Sequence, residues 1–137
     1  MIDPKNGLDK VQDLLINNGR IAESEDLARN IRVNETLDAK GLIVCPGLVD
    51  LQARLREPGQ EHKATFSTEL SAAVAGGITT ICCPPDTEPV IDTPAMAQMI
   101  RQRAEEISLT QVLPIGALTR QLQGEKLTDM AALKDAG

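Results

Sequence analysis

The stretch GLVDLQARLREPG, from Gly47 to Gly59, carries polar side chains at a spacing that suits a site at the end of a strand. A short apolar run ends in Asp50, and Gln52 and Arg54 follow two residues apart. Residues two apart on a β-strand project from the same face. The spacing therefore predicts that Gln52 and Arg54 share one side of a strand, where a metal site would need two histidines.

Both side chains are poor zinc ligands, because zinc binds neutral imidazole, thiolate or carboxylate. Gln52 offers only a weak carbonyl oxygen, and Arg54 keeps its proton and repels a cation. The chain has a single histidine, His62, which cannot build a zinc site alone and is expected on a loop or the surface. The sequence thus predicts no metal at either position and no cofactor.

Arg54 is expected to have an acidic partner, since burying a lone charge is unfavourable. The nearby acids in the sequence are Asp50, Glu57 and Asp86. We expect one of them, or an acid later in a longer protein, to accept a hydrogen bond from Arg54.

The composition is that of an ordinary soluble globular chain and excludes several functions. Of 137 residues, 42% are hydrophobic and 25% charged, and the net charge is −6. Scattered basic residues, no Trp or Tyr and a single Phe argue against nucleic-acid binding. No apolar run approaches the ~20 residues that cross a bilayer, and the N-terminus lacks signal-peptide features, so a cytoplasmic location is predicted.

The cysteine count argues against a disulfide framework. The chain has three, Cys45, Cys82 and Cys83, an odd number that suits a reducing compartment. All three are interpreted as small buried residues on strands.

The first part of the chain has the pattern of short strands. VQDLLI (11–16) and RIAE (20–23) flank a primed-turn signal at Asn17 to Gly19, and two more strands are predicted around Lys40-Gly41. Residues 24–35 read as a polar loop. This β layer is too thin to stand alone.

From Leu48 onward, strands alternate with helices, which predicts a parallel sheet. Thr65, Thr93 and Thr128 are the expected N-caps of three helices, with Pro94 at the first position of the second. The predicted strands are 48–55, 78–83 and 110–119, and the expected buried stripe of the second helix is Met96, Met99, Ile100, Ala104 and Ile107. Since a (β/α)8 barrel needs eight such units, these three are interpreted as the N-terminal part of a longer polypeptide.

The segment from Gly41 to Asp92 resembles the start of a dihydroorotase of the longer, bacterial type, in the amidohydrolase superfamily. Members read Pro-Gly-x-x-Asp-x-His-x-His-x-Arg-Glu-Pro-Gly, then Ala-Gly-Gly-x-Thr-Thr, then Pro-Asn-Thr-x-Pro. The resemblance covers nearly the whole chain and is narrowed to dihydroorotases by Arg56-Glu57-Pro58-Gly59 with Glu61-His62-Lys63. It implies that residues 1–47 supply strands of a small β-sandwich domain, and that 48–137 supply the first three units of a TIM-like barrel.

The resemblance also implies roles for individual positions. In the family the two histidines bind zinc, and here these positions are Gln52 and Arg54. The arginine that holds the carboxylate of dihydroorotate is present as Arg56, whereas the asparagine that assists it is replaced by Asp86. Asp86 would repel that carboxylate, and we expect it either to pair with Arg56 or to lie apart from it on an exposed loop. The family's remaining ligands and its catalytic aspartate lie on later strands.

The resulting hypothesis is a dihydroorotase homologue that has lost zinc and catalysis, leaving Arg56 and Asp86 as a vestigial substrate site. By resemblance, such homologues are structural partners of aspartate carbamoyltransferase, and the exposed sheet edge predicts self-association. One alternative is an active dihydroorotase, which interconverts N-carbamoyl-aspartate and dihydroorotate, or a related cyclic-amide hydrolase with a rearranged zinc site. Another is a protein that binds a different small anion through Arg54 and Arg56.

Overall fold

The computed structural model describes residues 1–22 and 32–137, which form two compact units, Met1–Pro46 and Gly47–Gly137. Most of the predicted polar loop at 24–35 lies outside the described residues.

The first unit contains two short antiparallel hairpins. In one, β1 (Ile2–Asp3) pairs with β2 (Leu8–Asp9), and in the other β3 (Ile16–Asn17) pairs with β4 (Arg20–Ile21). Asn18 and Gly19 have φ of 49° and 73°, which confirms the primed turn.

The other predictions for this unit placed strands where the structure has none. Residues 11–15 are not in a strand, and the turn at Lys40-Gly41 forms without flanking strands. Alternating apolar and polar residues form a strand only where a neighbouring strand pairs with them. Among the described residues, the 42–46 segment makes one backbone hydrogen bond to β1, from Ile2 N to Val44 O. Cys45 is consequently exposed and not on a strand, contrary to prediction.

The second unit is a mixed α/β structure around a three-stranded parallel sheet of order β5-β6-β7. Its elements are β5 (Leu48–Asp50), α1 (Phe66–Ala75), β6 (Ile78–Cys83), α2 (Pro94–Ile107), β7 (Gln111–Pro114) and α3 (Met130–Asp135). The predicted alternation of strands and helices is therefore confirmed, although β5 and β7 are shorter than expected.

The early end of β5 corrects the prediction for Gln52 and Arg54. Both residues follow the strand instead of sharing one of its faces. The Asp50 carboxylate accepts a hydrogen bond from the Gln52 backbone N–H at 2.9 Å, which turns the chain out of the extended conformation.

The helix starts follow local capping chemistry. Thr65 and Thr68 form a reciprocal capping box at α1, and Thr93 caps α2 with Pro94 in the first turn, as predicted. At α3 the cap is Asp129, whose carboxylate accepts from Ala132 N at 3.0 Å. Thr128 was the wrong choice because its buried hydroxyl donates instead to Ala117 O at 2.7 Å.

The core lies between the sheet and its helices. It is built on the fully buried side chains of Leu55, Phe66, Leu70, Ile81, Cys83, Ile91 and Ile100. Met99 was wrongly placed in the buried stripe of α2: it is 42% exposed, and Ala97 takes the buried position. Among the described residues, no helix is both long and apolar enough to cross a membrane.

Candidate functional site

The loops that follow β5 and β6 bring Arg54, Arg56 and Asp86 to one pocket. The other lining residues are Leu55, Pro58, Gln60, Cys83, Pro84 and Thr87. The carboxyl ends of parallel strands are where α/β proteins commonly place their ligand sites. The pocket has a volume of about 10 Å3, room for roughly one water molecule. Gln52 does not line it and is exposed.

Arg54 and Asp86, which both line this pocket, form an ion pair. Arg54 Nε donates to Asp86 Oδ2 at 2.6 Å, linking two loops that are 32 residues apart in the sequence. The prediction that a nearby acid accepts from Arg54 is confirmed, and Asp86 is that acid. The side chains are 47% and 40% exposed, so the pair lies at the rim of the pocket and not in a dry interior.

Arg56 does not pair with Asp86, which corrects the first of the two alternatives for Asp86. Asp86 is exposed on its loop, as in the second alternative, but it lines the same pocket as Arg56. Arg56 Nη1 donates to Gln60 Oε1 at 3.2 Å, and the Arg56 carbonyl accepts from Gln60 N at 2.8 Å. The half-buried Arg56 has φ of 66°, a left-handed conformation that is unfavourable for a residue with a side chain. Strain of this kind is concentrated at functional sites. Lys63 Nζ shares the Gln60 oxygen at 3.0 Å.

Glu57 holds this loop against α1 and α2 through its carboxylate. The sequence analysis did not predict this structural role. One of the Glu57 carboxylate oxygens accepts from Phe66 N at 2.8 Å, and the other accepts from Arg103 Nε at 3.1 Å. The side chain is only 17% exposed. The bond to Glu57 raises the pKa of the Arg103 guanidinium. A contact across 46 residues leaves no local signal in the sequence.

Two further groups near the site have shifted pKa values. Burial raises the pKa of the Cys83 thiol to about 11, so it is protonated at neutral pH. The Gly59 backbone N–H donates to Glu61 and lowers the pKa of that exposed carboxylate. His62 is exposed in the neighbouring turn, as predicted.

The side chains at this strand end do not fit zinc. Within residues 1–22 and 32–137, no group of three or more His, Cys, Asp or Glu side chains is arranged to hold a metal ion. At the positions the resemblance assigns to zinc ligands, Gln52 is an exposed amide and Arg54 is a cation already bound to Asp86. The chemistry that this arrangement can perform is charge recognition by guanidinium groups.

The second unit is thus a mixed α/β structure of parallel β/α units, with a pocket lined by charged side chains beyond the ends of β5 and β6. The model of the dihydro-orotase-like family matches residues 41–137. The chain belongs to this family.

The relatives of the chain include proteins with two kinds of name. It is 49% identical to a dihydroorotase-like protein of Pseudomonas putida, 45% identical to a dihydroorotase of Pelobacter propionicus and 42% identical to a dihydroorotase of Aquifex aeolicus. Each match covers all of this chain and 32% of the relative, so the chain spans about a third of these proteins.

Proposed function

We propose that this chain is the N-terminal third of a dihydroorotase-like protein of pyrimidine biosynthesis that has lost zinc binding and catalysis. Its second unit supplies the first three units of a TIM-like barrel, and its first unit supplies strands of a small β-sandwich. A parallel sheet of order β5-β6-β7 with helices between the strands supports the barrel proposal.

The Arg54–Asp86 ion pair is the observation that carries the proposal. In the family, zinc lowers the pKa of a bound water toward ~7 and polarises the ring carbonyl of the substrate. A guanidinium has no lone pair to offer a metal and repels the ion. Arg54 lines the pocket and is bound to Asp86 at 2.6 Å, so the position that the resemblance assigns to a zinc ligand holds a paired cation.

Asp86 also weakens the site for substrate. The family asparagine donates a hydrogen bond to the carboxylate of dihydroorotate, and an aspartate cannot donate when ionised. An unpaired carboxylate about 4 Å from the substrate would repel it by about 4 kcal/mol at an effective dielectric near 20. Arg54 neutralises much of that charge but does not restore the donor.

A retained fold without catalysis favours a scaffolding role, and aspartate carbamoyltransferase is the proposed partner. This rests on the family resemblance. The support from the chain itself is an intact core in the second unit, together with apolar side chains that remain exposed in β7 and after it: Leu113, Ile115, Leu118 and Leu127. Self-association of the chain is proposed on the same ground.

The test uses the full-length protein that contains this chain. Its zinc content is measured, dihydroorotate turnover is assayed at high enzyme concentration, and the protein is co-purified with aspartate carbamoyltransferase and sized by light scattering. We expect no turnover and a stable complex. Zinc-dependent turnover that is lost in Gln52→Ala would contradict the loss of catalysis. A carbamoyltransferase that assembles and works identically without this protein would contradict the scaffold role.

A second candidate is an active dihydroorotase, or a related cyclic-amide hydrolase, with zinc held by a rearranged site. The strained, half-buried Arg56 beside the pocket favours it, because the substrate-binding arginine of the family is kept in place. The same turnover assay, repeated after zinc removal by a chelator, separates the two: residual activity that zinc restores would establish the alternative.

A further inference from the structure

The first unit contains two Asn-Gly steps, Asn6–Gly7 and Asn18–Gly19, and both asparagines are exposed. In such a step the backbone nitrogen of the glycine attacks the side-chain carbonyl carbon of the asparagine. Glycine favours this attack because it has no side chain to crowd the approach and its backbone is the least restricted. Asparagine counts among the thermolabile residues of proteins. The hydrogen bonds around each step therefore decide how readily it reacts.

The Asn6–Gly7 step is held by hydrogen bonds at both reacting groups. Asn6 Nδ2 donates to Asp3 Oδ2 at 2.6 Å, which fixes the side-chain amide. Gly7 N, the attacking atom, donates to Pro4 O at 3.4 Å where a short 3-10 turn ends. Both bonds must break before Gly7 N reaches Asn6 Cγ.

The Asn18–Gly19 step lacks both restraints. Within residues 1–22 and 32–137, neither the Asn18 side-chain amide nor Gly19 N has a hydrogen-bond partner. The two residues form the primed turn between β3 and β4, which are only two residues long each. A hairpin this short is marginal and opens readily. Gly19 N then reaches Asn18 Cγ without breaking a bond at either reacting group.

We propose that Asn18 is a site of spontaneous deamidation and that Asn6 is protected from it. Gly19 N bonds to Asn18 Cγ, the Cγ–Nδ2 bond breaks, and the leaving nitrogen takes the Gly19 amide proton and departs as ammonia. The product is a five-membered succinimide. Water then opens the ring at one of its two carbonyl carbons: opening at Cγ gives aspartate, and opening at the backbone carbonyl gives isoaspartate. This inference is independent of the proposed function.

Deamidation changes the hairpin as well as the residue. Each product adds one negative charge to a chain whose net charge is already −6. Isoaspartate also lengthens the main chain by one methylene group, which disturbs the pairing of Asn17 with Arg20 across the turn. Ala22 N donates to Leu15 O at 2.9 Å across the same hairpin, so hydrogen exchange at Ala22 N–H should be faster in the isoaspartate form. Unchanged exchange there would overturn the proposed effect on the hairpin.

The test is incubation of the full chain at neutral pH and physiological temperature, with peptide mapping by mass spectrometry at intervals. Isoaspartate is measured separately, as methyl groups transferred by an isoaspartyl methyltransferase. We expect Asn18 to react at least roughly fivefold faster than Asn6, the factor that corresponds to about one net hydrogen bond. In urea, where neither step keeps its bonds, the two rates should converge. Equal rates in the folded chain, or faster reaction at Asn6, would overturn the proposal.

Asp3→Ala tests the cause of the protection. It removes the acceptor of the Asn6 amide and the cap of the 3-10 turn, so the Asn6 rate should rise toward that of Asn18, and the Asn18 rate should not change. Asp38→Ala is the matched control, because it removes the same charge from the same unit at a carboxylate that accepts from Lys40 N at 2.9 Å. Both rates should then stay as they are in the wild type. An Asn6 rate that does not respond to Asp3→Ala, or that rises equally in Asp38→Ala, would overturn the proposed protection.

Discussion

The helix-packed core of the second unit differs from the loops that follow β5 and β6, called the rim here, in how its residues are held in place. In the core, local pattern and packing agree, and Phe66, Leu70 and Ile100 are 0% exposed. At the rim, Arg56 is in a left-handed conformation and the Arg54–Asp86 pair is half exposed. The difference shows that burial holds the core residues in place, whereas side-chain hydrogen bonds near the surface hold the rim residues.

The largest expected effect lies in the core. Ile100→Ala removes a fully buried side chain and leaves a cavity, which should lower the free energy of unfolding by about 2–5 kcal/mol. Met99→Ala, one residue away on α2 but 42% exposed, should change it by less than about 1 kcal/mol. Urea unfolding followed by circular dichroism measures both. Equal losses would show that α2 packs through a different face.

The reactivities of Cys82 and Cys83 compare the two faces of β6. A Cys83 pKa of about 11 instead of 9.0 reduces the thiolate fraction at pH 8 roughly 100-fold. Cys82, the neighbour on β6, is only partly buried. Alkylation followed by mass spectrometry should therefore label Cys83 at least 100-fold more slowly than an ordinary thiol, and well after Cys82. The two rates should converge in urea. Equally fast labelling of both in the folded chain would place Cys83 outside the core.

Glu57 connects the rim to the core. Glu57→Gln can keep one acceptor but loses the ionic bond to Arg103, so we expect a loss of about 1–2 kcal/mol in unfolding free energy. Glu106→Gln is the matched control, because Glu106 contacts the same arginine at 3.4 Å from an exposed position. Its effect should be below about 0.5 kcal/mol. Identical effects would mean that Glu57 is only another surface partner of Arg103.

The smallest effect is expected for the rim pair itself. A double-mutant cycle of Arg54→Gln and Asp86→Asn should give a coupling energy of about 0.2–1 kcal/mol that decreases with added salt. The exposed pair of Arg101 and Glu105, at 3.9 Å, provides a reference cycle on α2. A coupling of several kcal/mol would contradict this and would indicate a buried, structural pair.

Periodicity and capping residues predicted the elements of the second unit well. Thr65, Thr93 and Pro94 determine their helix starts through contacts within three residues, and such local chemistry can be read from sequence. Strand lengths could not be read in the same way, because a strand ends where its partner or a competing hydrogen bond dictates. Asp50, which bonds to Gln52 N and ends β5, is an example.

The candidate site was predicted in part. The residue types at positions 52, 54 and 86 were informative, because an arginine stays a cation and a poor metal ligand wherever it lies. An acidic partner for Arg54 was predicted on that basis. The choice of Asp86 among three acids, the turn of Arg56 toward Gln60 and the role of Glu57 were not. These depend on contacts between loops and helices that are distant in sequence.

Zinc binding tests the central claim most directly. Equilibrium dialysis of this chain against zinc, with metal analysis of the wild type and of Gln52→Ala and Arg54→Ala, reports whether either residue holds metal. The account predicts that neither substitution lowers the zinc content, because an amide and a paired guanidinium contribute nothing to binding. One zinc per chain that is lost in Gln52→Ala would contradict it.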